Sequence, residues 1–335
     1  MLSKITVSPA PHIGQPLSTQ RVMLDVLIGL APAIAASMYF FRWYAATVIA
    51  VCVAGCLLGE WVCNLLRRRP SSLSDLSAVV TGVILALSLP PAVPLWVAAM
   101  GGVFAIVIVK MLFGGLGSNI FNPAMASRAF LTASFGVLMT TWTTPATLDA
   151  KMGQVAIANT SATTQATPLA WAKMALKGQA PSKEVSKLAI PSFWGQEGGC
   201  LGETSAAALL IGGLYLLVRR TITWHIPAAV LVSAGAVAAI GWLIKPDAYV
   251  SPALHLAGGG LMLCAFFIAT DPVTAPLTKK GMLLFGAGVG ILIMLIRLLG
   301  QYPEGVMYAV LIMNAFTPLI DRLCRLTPAG GRPNV

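Results

Sequence analysis

The sequence predicts an all-α polytopic membrane protein, and composition, segment length and charge placement each support this fold class. Apolar residues make up 57% of the 335 residues, whereas charged residues make up only 10%. A soluble domain carries about 25% charged residues. Most of the surface must therefore face lipid or other apolar segments.

Ten apolar stretches are the predicted membrane spans, because each is close to the length that crosses about 30 Å of hydrocarbon. Five precede and five follow one long polar stretch, residues 142–202. The third and fourth are joined by a very short connection that contains Pro90, Pro91 and Pro94. The predicted spans are 22–41, 43–66, 76–93, 94–113, 124–141, 203–218, 226–244, 250–270, 282–300 and 304–320.

The orientation is predicted from lysine and arginine, which are enriched in cytoplasmic connections. With the N-terminus inside, the inner ends hold Lys4, Arg21, Arg67, Arg68, Arg69, Arg128, Arg219, Arg220, Lys279, Lys280, Arg322, Arg325 and Arg332. The short outer connections hold little beyond Arg42, Lys245 and Arg297. We therefore expect a bacterial or archaeal cytoplasmic (inner) membrane protein with both termini cytoplasmic. The net charge of +11 acts as an orientation signal, and no nucleic-acid partner is expected.

These features divide the chain into five parts. They are a cytoplasmic N-terminal segment 1–21, a first five-helix repeat 22–141, an extracytoplasmic loop 142–202, a second five-helix repeat 203–320 and a cytoplasmic tail 321–335. The N-terminal segment is polar and lacks the apolar core of a signal peptide.

The two halves resemble each other faintly. The matching strings are Gly82–Leu85 before Pro90-Pro91 with Gly260–Leu263 before Asp271-Pro272, and Ile106–Gly114 with Ile293–Gly300. Because each half has five spans, repeated halves would be inverted in the membrane. Inverted repeats place a substrate, ion or cofactor path at their interface. Chance similarity between helices rich in leucine, glycine and alanine is the alternative.

The six cysteines form no CxxC pair. Cys52 and Cys56 lie one helical turn apart and could be a ligand pair, but small apolar packing residues are favoured. With only three histidines, a haem, zinc or iron–sulfur site built by this chain alone is poorly supported. An iron–sulfur site shared with a partner chain stays open.

Three polar positions near the spans have competing interpretations. Glu60 lies within an apolar span, where a carboxylate is a functional hypothesis by default, but an interfacial ion pair with Arg67 explains it equally well. The segment 270–274 is either a plain cytoplasmic helix end or part of the lining of a central path. His225 follows a basic pair at an interface and is interpreted as structural.

The polar loop contains the string Thr164-Gln165-Ala166-Thr167-Pro168-Leu169. The loop is rich in threonine, so the string alone could be accidental. Its placement is more specific, because it lies in the only long loop, beside lysines that can pair with a phosphate. Pro168 also restricts Thr167 to the extended region of the backbone.

A second unusual string runs from Gly114 to Met125, on the cytoplasmic side. Its three glycines allow a ligand to approach the backbone closely. The amides of Asn119 and Asn122 can present donors and acceptors to a planar heterocycle. A helix-breaking turn with asparagine capping is the alternative.

Together these strings carry a family resemblance over nearly the whole chain. Further strings are Ser8-Pro9-x-Pro11-His12, Gly202-Glu203-Thr204-Ser205, Trp224-His225-Ile226-Pro227, Ala269 to Thr274 and Tyr302-Pro303-Glu304-Gly305. The chain resembles the D subunit (RnfD) of the Rnf ion-translocating electron-transport complex. It is also similar in architecture to the B subunit (NqrB) of the sodium-pumping NADH:quinone oxidoreductase, which generally has a longer N-terminal extension.

The resemblance implies two flavins. The last threonine of the string, Thr167 here, would carry FMN through a phosphoester bond made by a separate flavin transferase. Asn119 and Asn122 would contact a non-covalent riboflavin. One departure concerns Ser161, which stands where the family favours an acidic residue and could reduce recognition by the transferase.

The resemblance also implies a function. The chain would relay electrons between ferredoxin and NAD, coupled to sodium or proton translocation, together with the membrane proteins RnfA and RnfE, the flavin-bearing RnfG and the cytoplasmic RnfB and RnfC. It would be catalytic only within that translocase. A stand-alone channel or transporter for a small solute, built on the same inverted repeat, is the rival hypothesis. A purely structural membrane scaffold would leave the Thr-x-Ala-Thr and Gly/Asn strings unexplained.

Overall fold

The computed structural model describes residues 18–68, 72–142, 167–195, 198–300 and 302–325, and all regular structure in these ranges is helical. The predicted all-α class is therefore confirmed for the described part of the chain. The string Ser8–His12, Ser161 and the residues Thr164, Gln165 and Ala166 lie outside the described residues.

The first half forms six helices. They are α1 (Thr19–Phe41), α2 (Trp43–Leu66), α3 (Ser77–Leu87), α4 (Leu95–Phe104), α5 (Pro123–Ser134) and α6 (Gly136–Met139). A π-helical segment, Ala105–Met111, extends α4, and a short 3₁₀ turn, Leu73–Asp75, precedes α3. Helix α5 begins with Pro123 at its first position and Asn122 as its cap, which is the expected chemistry of a helix start.

The segment predicted as an extracytoplasmic loop contains three short helices in its described part. They are α7 (Pro168–Leu176), α8 (Ser182–Ser186) and α9 (Ala189–Trp194). Ala172, Ala175, Val185, Val250 and Leu254 form a small apolar core beneath them. The described part of this segment is thus packed structure.

The second half again forms six helices. They are α10 (Ala206–Val218), α11 (His225–Ile244), α12 (Pro252–Ala257), α13 (Leu261–Leu263), α14 (Lys279–Leu299) and α15 (Val306–Leu323). A π-helical segment, Cys264–Ile268, continues α13. Between α12 and α13 the backbone is extended at Gly258 and left-handed at Gly259 (φ 69°), a conformation that glycine adopts without strain.

Five helices, α1, α2, α11, α14 and α15, are long and apolar enough to cross a membrane, and three shorter apolar helices accompany them. The chain is a multi-pass membrane protein. The predicted spans 124–141 and 250–270 are not single helices, because the chain breaks at Phe135 and at the glycines after Ala257. The count of ten spans stays a prediction.

The packing of the helices is similar in the two halves. Helix α2 packs against α3 and α4, and α11 packs correspondingly against α12 and α14. Across the halves, α1 packs against α10 and α5 against α15. The two halves thus share a packing pattern, and their inversion in the membrane stays a prediction.

Close contact between α1 and α10 depends on two glycines. A Cβ atom at Gly212 would lie 1.8 Å from the carbonyl oxygen of Gly29 and 2.9 Å from its carbonyl carbon. Neither backbone atom can move without shifting a whole helix. No residue larger than glycine therefore fits at position 212 without moving a helix.

We predict that Gly212→Ala lowers the midpoint of thermal unfolding in detergent, by the equivalent of about 1–3 kcal/mol of overpacking. Gly235→Ala is the control, because Gly235 also lies within a helix and the nearest atom to its added Cβ would be 3.7 Å away. Equal midpoints for the two variants would show that α1 and α10 are not in contact.

Candidate functional site

Thr167 is the cap of α7 and is buried, with 8% exposure. Its backbone is extended (φ −63°, ψ 159°), as the following proline requires. Its hydroxyl oxygen accepts a hydrogen bond from the backbone N–H of Ala170 at 3.2 Å. The Thr167 hydroxyl is thus held at the N-terminal end of a nine-residue helix.

Thr167 lines a small cleft, here called the outer cleft, which encloses about 30 Å³. Its other lining residues include Trp142, Leu169, Ser192, Glu203, Thr204, Gly259 and Glu304. These residues come from the loop, from the start of α10, from the break between α12 and α13 and from the start of α15. The break in the predicted eighth span is therefore part of the site.

Two side chains of α7 fix the helix to the bundle. Leu169 is buried against Gly258 and Gly259. Lys173 donates to the carbonyl oxygen of Gly300 and, at 3.1 Å, to that of Tyr302, just beyond the C-terminus of α14, where a cation is stabilised. Burial, and then the neighbouring Lys177, lower the pKa of Lys173.

The loop lysines that could pair with a phosphate are thus partly engaged elsewhere. Lys173 binds backbone carbonyls, and Lys187 forms an exposed ion pair with Glu184 at 2.8 Å. Lys177 is exposed and stays a candidate. Lys151 lies outside the described residues.

An ion network forms the floor of the outer cleft. Arg128 donates to Glu203 at 3.2 Å and to Glu304 at 2.6 Å, and these side chains are 7%, 5% and 14% exposed. Arg128 also contacts the sulfur of Cys200 at 3.2 Å. Cys200, Glu203 and Glu304 offer ligand atoms within 4.8 Å of one another, but the guanidinium of Arg128 already donates to each of them. Arg128 is thus the cation of this cluster.

Two cations used for the orientation argument have other roles. The charge pattern predicts Arg128 at an inner helix end and Arg297 in an outer connection, but both are buried. Arg128 lies beside the outer cleft, and Arg297 donates to the carbonyls of His255 (2.6 Å) and Gly258 (3.1 Å). Treating Arg128 as an orientation signal was wrong, because it pairs with buried carboxylates far along the chain. A lone arginine among the small residues of an apolar span is the sequence feature that could have indicated a buried ion pair.

Asn119 and Asn122 lie together in the wall of a larger cavity of about 250 Å³, here called the inner cavity. They are 6% and 4% exposed. Other lining residues include Val22, Met23, Val26, Ser77, Ile84, Leu216, Thr221, Phe266, Phe267 and Asp271. The cavity is lined mostly by apolar side chains, and its polar lining residues come from several elements.

The two asparagines differ in how far their amides are engaged. Asn122 caps α5 by accepting from the N–H of Met125 at 3.2 Å, and it donates to Asp271 at 3.3 Å. Its backbone N–H donates to Asn314 at 3.1 Å. Asn119 donates to the carbonyl of Phe121 at 3.1 Å. The capping interpretation of Asn122 is confirmed, while Asn119 keeps more of its amide for a ligand.

Asp271 is part of this wall. Its carboxylate accepts from the backbone N–H of Val273 and the hydroxyl of Thr274, both at 3.2 Å, and from Asn122. Residues 270–273 line the cavity, so this segment is more than a plain helix end. The nearby glycines Gly114, Gly115 and Gly117 all have positive φ, which explains why the turn before Asn119 uses glycine.

Glu60 does not pair with Arg67. It forms a buried ion pair with Lys110, whose Nζ lies 3.0 Å from both carboxylate oxygens, and the two side chains are 0% and 2% exposed. The interfacial-pair interpretation was wrong, because Lys110 reaches Glu60 from the π-helical segment after α4. Sequence spacing could not show that contact, since the two residues are 50 positions apart.

The cysteines of α2 act as packing residues. Cys52 and Cys56 are fully buried and donate to the carbonyls of Ala98 and Gly102 on α4, at 3.6 and 3.5 Å. His225 stacks on Trp224 with ring centroids 4.3 Å apart, as a structural interface residue would.

Comparison with known proteins gives full-length matches. The model of the NQR2, RnfD, RnfE family matches residues 6–330. The chain is 43% identical over 323 residues to the D subunit of the Na(+)-translocating ferredoxin:NAD(+) oxidoreductase complex of Acetobacterium woodii, covering 96% of this chain and 94% of that protein. It is 41% identical over 354 residues to the D subunit of the ion-translocating oxidoreductase complex of Cronobacter sakazakii, covering 99% and 100%. It is also 41% identical over 344 residues to the protein of the same name in Pectobacterium atrosepticum, covering 96% and 97%.

We predict that Arg128→Met strongly destabilises the protein, because it leaves two buried carboxylates without their cation, at a cost of about 3–5 kcal/mol. The measurement is the midpoint of thermal unfolding of the purified protein. Arg219→Met is the matched control, since Arg219 is 42% exposed in its pair with Asp25, where an ion pair contributes about 0–1 kcal/mol. Similar midpoints for the two variants would mean that Arg128 does not bridge Glu203 and Glu304.

Proposed function

The chain belongs to the NQR2, RnfD, RnfE family, and we propose that it is the flavin-carrying membrane subunit of an Rnf-type ion-translocating complex. Its relatives are named as the D subunits of ion-translocating oxidoreductase complexes. The protein is accordingly a subunit of a ferredoxin:NAD⁺-type oxidoreductase and does not catalyse the reaction alone. The proposal adds that it holds two flavins, FMN at Thr167 and riboflavin in the inner cavity.

The proposal of FMN at Thr167 rests on the position of this residue at the N-terminus of α7, within a cleft. A phosphate esterified to its hydroxyl would lie at a helix N-terminus, where backbone N–H groups and the helix dipole stabilise an anion. Pro168 has no N–H, so Leu169 and Ala170 would supply the first donors. The interaction of Ala170 with the Thr167 oxygen is compatible with an ester, because an ester oxygen still accepts.

The inner cavity suits a planar heterocycle with a polar edge. Its volume of about 250 Å³ is close to the lower end of ordinary small-molecule sites, about 300–1,000 Å³. Its apolar lining includes Ile84, Phe266 and Phe267, and its polar lining includes Asn119 and Asp271. Such a cavity can hold the ring by burial and orient it by hydrogen bonds.

Two flavins in one protein would serve as stations for electrons. The hydrocarbon core of a bilayer is about 30 Å thick, which is too far for one efficient transfer between its faces. Further cofactors in neighbouring proteins of the complex are therefore required, and RnfA, RnfE, RnfG, RnfB and RnfC are the expected partners. The protein holds and tunes the flavins, whose redox chemistry is their own.

Several finer features belong to the proposal. The outer cleft faces the extracytoplasmic side of a bacterial or archaeal inner membrane, where a flavin transferase can reach Thr167. Electrons pass between ferredoxin and NAD, and their transfer drives sodium or proton translocation. The lipid-facing surface carries exposed apolar residues such as Leu66, Val218 and Leu299.

A stand-alone channel or transporter is the second candidate, because the inner cavity could equally hold a small solute. The two functions differ in cofactor content. Flavin fluorescence that survives denaturing electrophoresis of natively expressed protein supports the flavin-carrying function, and a protein free of flavin supports the transporter.

We predict that Thr167→Val abolishes covalent flavin, because valine keeps the shape of threonine and lacks the hydroxyl. Mass spectrometry of the peptide spanning 152–173 and in-gel fluorescence are the measurements. Thr204→Val is the control, since Thr204 lines the same cleft and is also buried. Thr167→Ser keeps an oxygen and tests whether the transferase accepts serine. Covalent flavin in Thr167→Val, or an unmodified peptide from native material, would refute the assignment.

We also predict that Asn119→Leu reduces the riboflavin extracted from the complex by at least about tenfold, equivalent to the loss of about 1.4 kcal/mol of binding. The covalent FMN should be retained. Asn122→Ser is the companion variant, because serine can keep an acceptor that caps α5 and places no second carboxylate beside Asp271. Undiminished riboflavin in a stable Asn119→Leu complex would leave Asn119 a turn residue.

A further inference from the structure

A line of hydrogen-bonded side chains joins the connection between α2 and α3 to the inner cavity. Asp75 accepts from the backbone N–H of Ser77 at 2.8 Å and also from the hydroxyl of Ser77. Ser77 is buried, begins α3 and lines the inner cavity. The same hydroxyl therefore touches a carboxylate and borders the space proposed for a flavin.

The backbone between these two residues is strained in a way that creates their contact. Leu76 is in the left-handed region, with φ 63° and ψ 3°, which is unfavourable for a residue with a branched, apolar side chain. The turn at Leu76 brings the Asp75 carboxylate back over the first residue of α3. Strain of this kind tends to occur at functional positions.

Lys110 acts on the same hydroxyl from the other side. Its ammonium group donates to the Ser77 oxygen at 2.6 Å and to both oxygens of Glu60 at 3.0 Å. A cation that donates to a hydroxyl oxygen withdraws electron density and makes the O–H a stronger donor. Glu60 balances the charge of Lys110, so this polarisation occurs without an unpaired buried cation.

Glu60 is itself held in place. Ser72 donates to it, and Asn64 donates to Ser72 at 3.0 Å. Ser72 and Asp75 are only partly buried, whereas Asn64, Glu60, Lys110 and Ser77 are buried. The network thus has its accessible end at the connection and its buried end at the cavity.

We propose that Asp75 and Ser77 carry protons between the connection that follows α2 and the flavin in the inner cavity, with Lys110 as a positioning residue. This inference rests on the proposed function, because it requires a flavin in that cavity. Asp75 and Ser77 would then do more than begin α3, and Lys110 would do more than pair with Glu60.

The proton and electron balance is simple. Reduction of a flavin by two electrons to its neutral hydroquinone takes up two protons, and the electrons come from a donor of the ferredoxin or NADH class through neighbouring redox centres. When Asp75 is in its acid form, it donates to the Ser77 oxygen and the Ser77 O–H turns from Asp75 toward the cavity. Asp75 then passes its proton to that oxygen while Ser77 releases its own proton into the cavity. Asp75 is then a carboxylate and takes a new proton from water at the connection. Oxidation reverses each transfer.

Other charged groups of the described residues lie near this path. Helix α2 contributes Glu60, the π-helical segment contributes Lys110, and the connection after α13 contributes Asp271. Helices α1 and α10 line the cavity with apolar residues, among them Met23 and Leu216. Asp271 already accepts three hydrogen bonds. Asp25 on α1 accepts from the hydroxyl of Thr221, which also lines the cavity, but Arg219 pairs with Asp25. Among the described residues, Asp75 thus has a hydroxyl route to the cavity without an ion pair to a lysine or arginine.

A purely structural role for Asp75 makes a different prediction. As a cap of α3 it needs only an oxygen that accepts from the N–H of Ser77, and Asp75→Asn retains such an oxygen while losing the ability to take a proton. Asp321→Asn is the matched control, because Asp321 accepts from the backbone N–H of Leu277 at 3.2 Å and does not line the cavity.

The test uses the purified complex with its flavins in place. Redox-induced infrared difference spectra of complex labelled with ¹³C-aspartate should contain a carboxyl band that is lost in Asp75→Asn and kept in Asp321→Asn. Proton uptake during reduction of the inner flavin, followed with a pH indicator, should slow by about 100-fold in Ser77→Ala. Ser77→Thr, which restores a hydroxyl, should recover most of the rate.

The outcomes separate this inference from the proposed function. Normal riboflavin content with an unchanged band and unchanged proton uptake in both Asp75→Asn and Ser77→Ala overturns the proton path and leaves the inner flavin intact. A stable complex that contains no riboflavin overturns both. Loss of the band with riboflavin content and thermal midpoint unchanged supports the path, since a cap alone would not alter it.

Discussion

The structure depends on one constraint, which is that backbone groups exposed by a broken helix inside an apolar bundle must find partners within the protein. The break between α12 and α13 illustrates it. Arg297 donates to the carbonyl of Gly258, and the N–H of Gly260 donates to Glu304 at 2.6 Å. At the end of α3, the carbonyls of Leu87 and Leu89 accept from the N–H groups of Gly202 and Leu201. Each break therefore recruits polar groups that a continuous helix would exclude.

These recruited groups are also the candidate sites. Glu304 satisfies the break near Gly260 and, through Arg128, holds Glu203 beside Thr167. On the other side of the molecule, Asn122 satisfies the start of α5 and contacts Asp271 in the wall of the inner cavity. The polar groups needed to stabilise irregular backbone and the polar groups available to a cofactor are thus the same residues. This explains why the sites lie where helices α5 and α15 begin.

The sequence predicted the helical class, the five long spans and the grouping of Asn119 with Asn122, because hydrophobic length and local strings determine these features. It did not predict the break after Ala257. An apolar run that contains three glycines is still long enough to be predicted as a continuous membrane span. The sequence also missed the pairs Glu60–Lys110 and Arg128–Glu304. Such pairs join distant residues of the chain, and charge sign alone made Arg128 indistinguishable from an orientation signal. Such long-range partners of buried charges can be identified only when the packing of the helices is known.

The two candidate sites differ in how much of a ligand they can enclose, and this difference would account for the two proposed modes of attachment. The inner cavity encloses about 250 Å³ between apolar walls, so burial of a ring can hold it without a covalent bond. The outer cleft encloses only about 30 Å³, which is room for about two water molecules. A flavin there would leave most of its ring uncovered, and contacts alone would retain it weakly.

A phosphoester bond to Thr167 would keep the ring at a high local concentration whatever its affinity for the cleft. The uncovered ring would then be free to exchange electrons with a partner protein of the complex, a role that a deeply enclosed flavin could not fill.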